Sequence, residues 1–176
     1  MNALDMGWIA GLLLLATGLA WAGSGKPEIG KPAPDFELAD QDSVTHTLSD
    51  YRDQWVLLYF YPKDDTPGCT AQACGLRDGF EDFGKIGATV IGISADDVES
   101  HKAFAEKYNL PFTLLADTEA RVIGLYGVKM PGLKMARRTS FLIAPDGTVT
   151  KIYENVEPAS HPDQVLKDLE ALKNRP

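Results

Sequence analysis

Two cysteines and three histidines are all that this 176-residue chain offers for metal or redox chemistry. Two cysteines are too few for a disulfide scaffold, and no third is present to complete a metal cluster. His46, His101 and His161 are scattered without ligand-like spacing. Each is expected at the surface or an edge, and no metal or cofactor is implied. Bases are also in short supply, with 17 Lys and Arg against 25 Asp and Glu, a formal net charge of −8. That balance argues against nucleic acid or an anionic membrane surface as a partner. No internal repeat or low-complexity tract is present. What remains is an ordinary globular composition, 44% hydrophobic and 24% charged, able to bury a core without metal or disulfides.

The amino-terminal segment is of a different kind. From Gly7 to Ala22 it reads GWIAGLLLLATGLAWA without a charge, and Ala20-Trp21-Ala22 has the small-x-small form of a cleavage site. The preceding MNALDM has no Lys or Arg, which a secretory signal would carry. Residues 1–22 are therefore expected to be a signal peptide or an uncleaved membrane anchor, with both readings open. Residues 23–30 read as a Gly-rich linker, and residues 31–176 as one folded domain in the bacterial periplasm.

That domain alternates strand-like and helix-like segments, as α/β layered folds do. WVLLYFY, Trp55 to Tyr61, is a continuous apolar run that predicts a central buried strand. Thr89 to Ser94 predicts a second strand, and Asp96 to Tyr108 a helix with acidic residues in its first turn. Thr113 to Ala116 reads as a strand and Thr118 to Tyr126 as a short helix. Pro145-Asp146-Gly147 marks a hairpin between Ser140–Ala144 and Val149–Tyr153. His161 to Lys173 closes the chain as an amphipathic helix. The order suits a thioredoxin-like fold, with a central mixed sheet flanked by helices.

The chemistry gathers in YPKDDTPGCTAQACGLRD, directly after the central strand. Loops leaving the carboxyl ends of such strands are where open α/β sheets bind ligands. Pro67 after Thr66, a candidate N-cap, predicts a helix that begins beside Cys69. Gly68 leaves room for a close approach. A thiol is nucleophilic only as the thiolate, which the positive end of a helix dipole and free amide donors stabilise. Oxidation of Cys69 to a sulfenic acid would let Cys74 condense with it into a disulfide. The spacing sets a mechanical condition. Five helical residues separate Cα atoms by about 8.6 Å, whereas a disulfide requires about 7 Å or less. The helix has to unwind for the two cysteines to meet.

PKDDTPGCT fits the P-x-x-x-T-x-x-C signature, and the chain here resembles the peroxiredoxins. CTAQACGLRD is similar to their bacterioferritin-comigratory, or PrxQ, subgroup, as are FTLLAD at Phe112 to Asp117 and RTSFLI at Arg138 to Ile143. The resemblance covers about Ile29 to Leu172. It implies a peroxidase for hydrogen peroxide and organic hydroperoxides, recycled by thioredoxin or, outside the cytoplasm, by a periplasmic thioredoxin-like protein. It also implies a monomer. Cys69 matches the peroxidatic cysteine and Cys74 the resolving one, paired as a Cys69–Cys74 disulfide when oxidised. Thr66 matches the hydroxyl at the thiolate and Pro62 the residue shielding the pocket. Arg138, rather than its neighbour Arg137, matches the arginine that stabilises the thiolate.

Several residues have simpler readings. Asp64 and Asp65 are expected to form only a solvated loop and Trp55, Phe60 and Tyr61 to be core, while Met130 and Met135 of a Gly/Pro loop either line a pocket or interface or, more simply, have no role. A thioredoxin-like disulfide oxidoreductase would require C-x-x-C, which the sequence lacks. A non-enzymatic exported domain would hold a permanent Cys69–Cys74 bond.

Overall fold

A computed structural model describes residues 26–173. The expected leader, the first three residues of the expected linker and the last three residues of the chain lie outside them. Seven strands, β1 (Glu37–Asp40), β2 (Thr45–Thr47), β3 (Trp55–Phe60), β4 (Ala88–Ser94), β5 (Thr113–Ala116), β6 (Thr139–Ile143) and β7 (Val149–Glu154), form one sheet. Its order is β2-β1-β5-β4-β3-β6-β7. The centre, β5-β4-β3, is parallel, and both margins are antiparallel. Five helices accompany it: α1 (Pro67–Asp78), α2 (Phe80–Ile86), α3 (Val98–Tyr108), α4 (Arg121–Leu125) and α5 (His161–Lys173). This is the thioredoxin-like arrangement expected.

Strand β3 shows why the sheet is buried on both faces. Its side chains alternate, so Val56, Leu58 and Phe60 join one core cluster with Ile91, Phe141 and α4 residues Val122 and Ile123. Leu57, Tyr59 and the following Tyr61 join the other, with Leu76 of α1, Phe83 of α2, Phe104 of α3 and Val165 of α5. Phe60 and Tyr61 are core, as expected, and Trp55 is packed against it. The hairpin at Pro145-Asp146-Gly147 forms, with Gly147 at φ 84°, where a side chain would be strained.

Two expectations fail, and one helix is added to those expected. Helix α2 has no forecast, and Gly87 closes it in the left-handed region at φ 75°. His101 and His161 are fully buried rather than at the surface. His101 takes a core position on the inner stripe of α3 with Phe104 and Ala105. Asp64, expected in solvent, is buried as well.

Candidate active site

The site is built at the carboxyl end of β3. The chain leaves the strand through Tyr61, runs through Pro62–Thr66 and enters α1 with Pro67 in its first turn. Proline suits that position because its missing N–H would have no helical partner. Thr66 has the extended backbone of an N-cap (φ −91°, ψ 150°), and its carbonyl accepts from the Thr70 N–H at 2.8 Å. Its side chain does not cap the helix. The hydroxyl instead donates to the Lys63 carbonyl at 3.0 Å, which corrects the expected cap. A hydroxyl whose proton is committed in this way keeps its lone pairs free to accept.

Cys69 sits in the first turn of α1, buried at 2% exposure. Arg138, immediately before β6, reaches it from the strand that pairs with β3. Its Nη2 donates to Cys69 Sγ at 3.3 Å, and its Nη1 to Gln72 Oε1 at 2.6 Å. Gln72 lies one turn further along α1 and is wholly buried. The guanidinium is thus held by two residues of the helix it serves. Arg137 points elsewhere, donating to the Gly127 carbonyl at 2.7 Å. Gly68 makes room for this arginine: a Cβ there would lie 3.1 Å from Arg138 Nη2.

Cys74 lies on the same unbroken helix, half-buried, and both thiols are free. The helix geometry therefore keeps them apart. Beyond it, Gly75 abuts α5: a Cβ at Gly75 would come within 2.9 Å of Pro162 Cγ. Pro62 is half-buried in the loop, and no hydrogen bond joins it to the thiol. The structure brings Cys69 and Arg138 together, and places Thr66 one helical turn before the sulfur.

Behind the thiol the environment is dry and aromatic. Tyr59 and Tyr61 stack with ring centroids 5.3 Å apart. Burial raises the pKa of both phenols, helped at Tyr59 by the nearby Asp64 and Cys69 charges, so neither serves as a base. His161 at the start of α5 bonds Ser140 Oγ at 3.0 Å. Its imidazole is pushed down to about 4 by burial and by the Arg138 charge.

Gln72 had no reading from sequence. A signal was available, since it lies three residues past Cys69 on one helical face, where i and i+3 side chains meet. An arginine held against a buried thiol at a helix start suits thiolate-based nucleophilic attack on a small polar electrophile.

Comparison with known proteins agrees with this reading. Residues 29–152 match the model of the AhpC/TSA family. The chain is 46% identical over 150 residues to a chloroplastic peroxiredoxin Q of Populus jackii, covering 81% of this chain and 68% of that one. It is 41% identical over 145 residues to a putative peroxiredoxin bcp of Coxiella burnetii, covering 79% and 96%. Among solved structures it is similar to the Xanthomonas campestris bacterioferritin comigratory protein, studied for its alkyl peroxide reduction activity. That likeness has a TM-score of 0.74 and 33% identity, covering 78% of this chain and 91% of that one.

Proposed function

From the membership of this chain in the AhpC/TSA family, we propose that Cys69 is the peroxidatic cysteine of a thiol-dependent peroxidase and Cys74 its resolving partner. The observation that carries the assignment is the Arg138 guanidinium 3.3 Å from the buried Cys69 sulfur. The Cys69 thiolate attacks the terminal oxygen of HO–OR. The O–O bond breaks, sulfur becomes a sulfenic acid, and the alkoxide takes up a proton and leaves as an alcohol. Arg138 supports the anionic sulfur and the charge passing to the leaving oxygen. Thr66, with its own proton given to Lys63, accepts the peroxide O–H and aligns the O–O bond. Pro62 walls the pocket from the loop side.

Cys74 then displaces hydroxide from the sulfenic sulfur, and water and a Cys69–Cys74 disulfide result. Both cysteines sit on the same intact α1, so its first turns unwind for this step. A dithiol protein, thioredoxin or a thioredoxin-like reductant, returns the pair to thiols. Hydrogen peroxide and organic hydroperoxides are the substrate class, the latter in keeping with the alkyl peroxide activity of the Xanthomonas campestris protein. The uncharged run Gly7–Ala22 supports action outside the cytoplasm, as a periplasmic or membrane-anchored monomer supplied by a periplasmic thioredoxin-like donor.

Peroxide consumption by wild type, Cys69→Ser and Cys74→Ser in the presence of a dithiol protein tests the assignment. Cys69→Ser should be inactive, and Cys74→Ser should react once and stall. Undiminished turnover by Cys69→Ser would overturn it.

A further inference from the structure

The loop that carries Thr66 holds a buried carboxylate for which peroxide chemistry has no use. Asp64 Oδ1 accepts from the Tyr61 hydroxyl at 2.7 Å. Its Oδ2 accepts from the Ser100 hydroxyl at 2.8 Å and faces His101 Nδ1 at 2.8 Å. Its backbone N–H donates to Asp96 Oδ2 at 2.9 Å, and the Ser94 hydroxyl donates to that same oxygen at 2.7 Å. The other ring nitrogen of His101, Nε2, faces the Leu115 carbonyl at 3.1 Å. The Leu115 carbonyl can only accept, so Nε2 carries an N–H, and one proton is shared along the contact between Nδ1 and Asp64 Oδ2. Their side chains are 0% and 4% exposed. A buried pair in this geometry holds its partners firmly, because separating them leaves buried polar groups without hydrogen bonds.

The next residue is tied to the same helix. Asp65, at φ 53°, accepts from Lys107 Nζ and from the Tyr108 hydroxyl, both at 2.6 Å. The loop is thus fastened to α3 from Ser100 to Tyr108. Helix α1 begins only two residues later, and its first turn has to open in every cycle. A moving segment joined to an immobile one needs a fixed end from which to rewind.

We propose that the Asp64–His101 pair is that fixed end, holding Pro62–Thr66 in one place in both the reduced and the disulfide forms. Asp64 and His101 are positioning residues, and Thr66 keeps its alignment because they do not move. The inference rests on the two-cysteine cycle above and adds where the unwinding stops.

Amide hydrogen exchange of the full-length protein, reduced and after one equivalent of hydrogen peroxide, tests it. On oxidation the Thr70 amide, bonded to Thr66 in the reduced helix, should exchange at least about tenfold faster, while the Asp64 amide stays as protected as before. Asp64→Asn keeps the shape and replaces one of the two bonded oxygens with an NH2 donor. It should speed exchange at residue 64 in the reduced protein and slow oxidation of Cys69 by about tenfold, while the dithiol-reductant step keeps its rate. Acceleration at Asp64 matching that at Thr70, or oxidation of Asp64→Asn within about twofold of wild type, would overturn the proposal. If Asp64→Asn fails to fold, the wild-type exchange comparison decides alone. Absence of a peroxide-induced disulfide in the wild type, seen by mass before any exchange is measured, would remove the two-cysteine cycle and this proposal with it.

Discussion

Gly68 faces Arg138, and adding one methyl group there should lower activity. A Cβ at position 68 would lie 3.1 Å from Arg138 Nη2 and 3.7 Å from Pro158 Cγ. Comfortable contact begins near about 3.5 Å, so the guanidinium has to retreat by about 0.4 Å. That movement stretches the 3.3 Å bond to the Cys69 sulfur and pulls on the 2.6 Å bond to Gln72. A hydrogen bond to a charged group contributes about 1.5–3 kcal/mol, and losing around half of it costs about 1 kcal/mol. In the transition state that is about fivefold in rate. The backbone at Gly68 is ordinary helix, so the helix propensity of Ala, about 0.5 kcal/mol, offsets only part of that cost in the folded protein. Stopped-flow oxidation should show Gly68→Ala about fivefold slower. Made in an Arg138→Met background, the same substitution should change the rate by less than about twofold. An equal slowing with and without Arg138 would refute the reasoning.

Thr66→Val removes the hydroxyl that donates to Lys63 at 3.0 Å. Oxidation of Cys69 should slow by more than about tenfold while stability drops by only about 1 kcal/mol, and an unchanged rate would exclude Thr66 from the reaction. His161 titrates at about 4 when folded and near its ordinary 6.5 when unfolded, so between those values the unfolded chain holds the extra proton. Its stabilising contribution is complete above pH 6.5 and lost as pH falls toward 4. The acid-side decline in unfolding free energy should be about 3 kcal/mol smaller in His161→Gln than in wild type, and parallel curves would contradict this.

Much of this architecture was readable because particular stretches carry one signal. WVLLYFY can hardly be anything but a strand buried on both faces, and Pro-Asp-Gly between two apolar segments makes the hairpin. Asp97 caps α3 by accepting from the Ser100 N–H at 2.8 Å, close to where acidic residues marked its start. Helix α2 was hidden because FEDFGKI lies between Gly79 and Gly87 with Gly84 inside, so that breakers outweigh its short apolar pattern. The short helix after β5 begins only at Arg121, because Asp117 accepts from the Arg121 and Ile123 N–H groups while Ala120 takes a left-handed φ of 52°.

At the site, Cys69, Cys74 and Arg138 could be named from spacing and resemblance. The partners that hold them could not, because their role comes from contacts distant in sequence. Asp64 meets Ser100 and His101 across 36 and 37 residues, and Gln72 meets Arg138 across 66. His101 did leave a trace. It begins an i, i+3, i+4, i+7 stripe with Phe104, Ala105 and Tyr108, which places its ring on the core face of α3.

The central claim is that Cys69 is oxidised first and Cys74 closes the disulfide within the same chain. Intact mass after one equivalent of hydrogen peroxide, without reductant, tests it most directly. The wild type should become lighter by two hydrogens as a monomer, Cys74→Ser should become heavier by one oxygen, and Cys69→Ser should not change. A wild type that keeps both thiols, or a Cys69→Ser protein that takes up oxygen as readily as Cys74→Ser, would contradict the account.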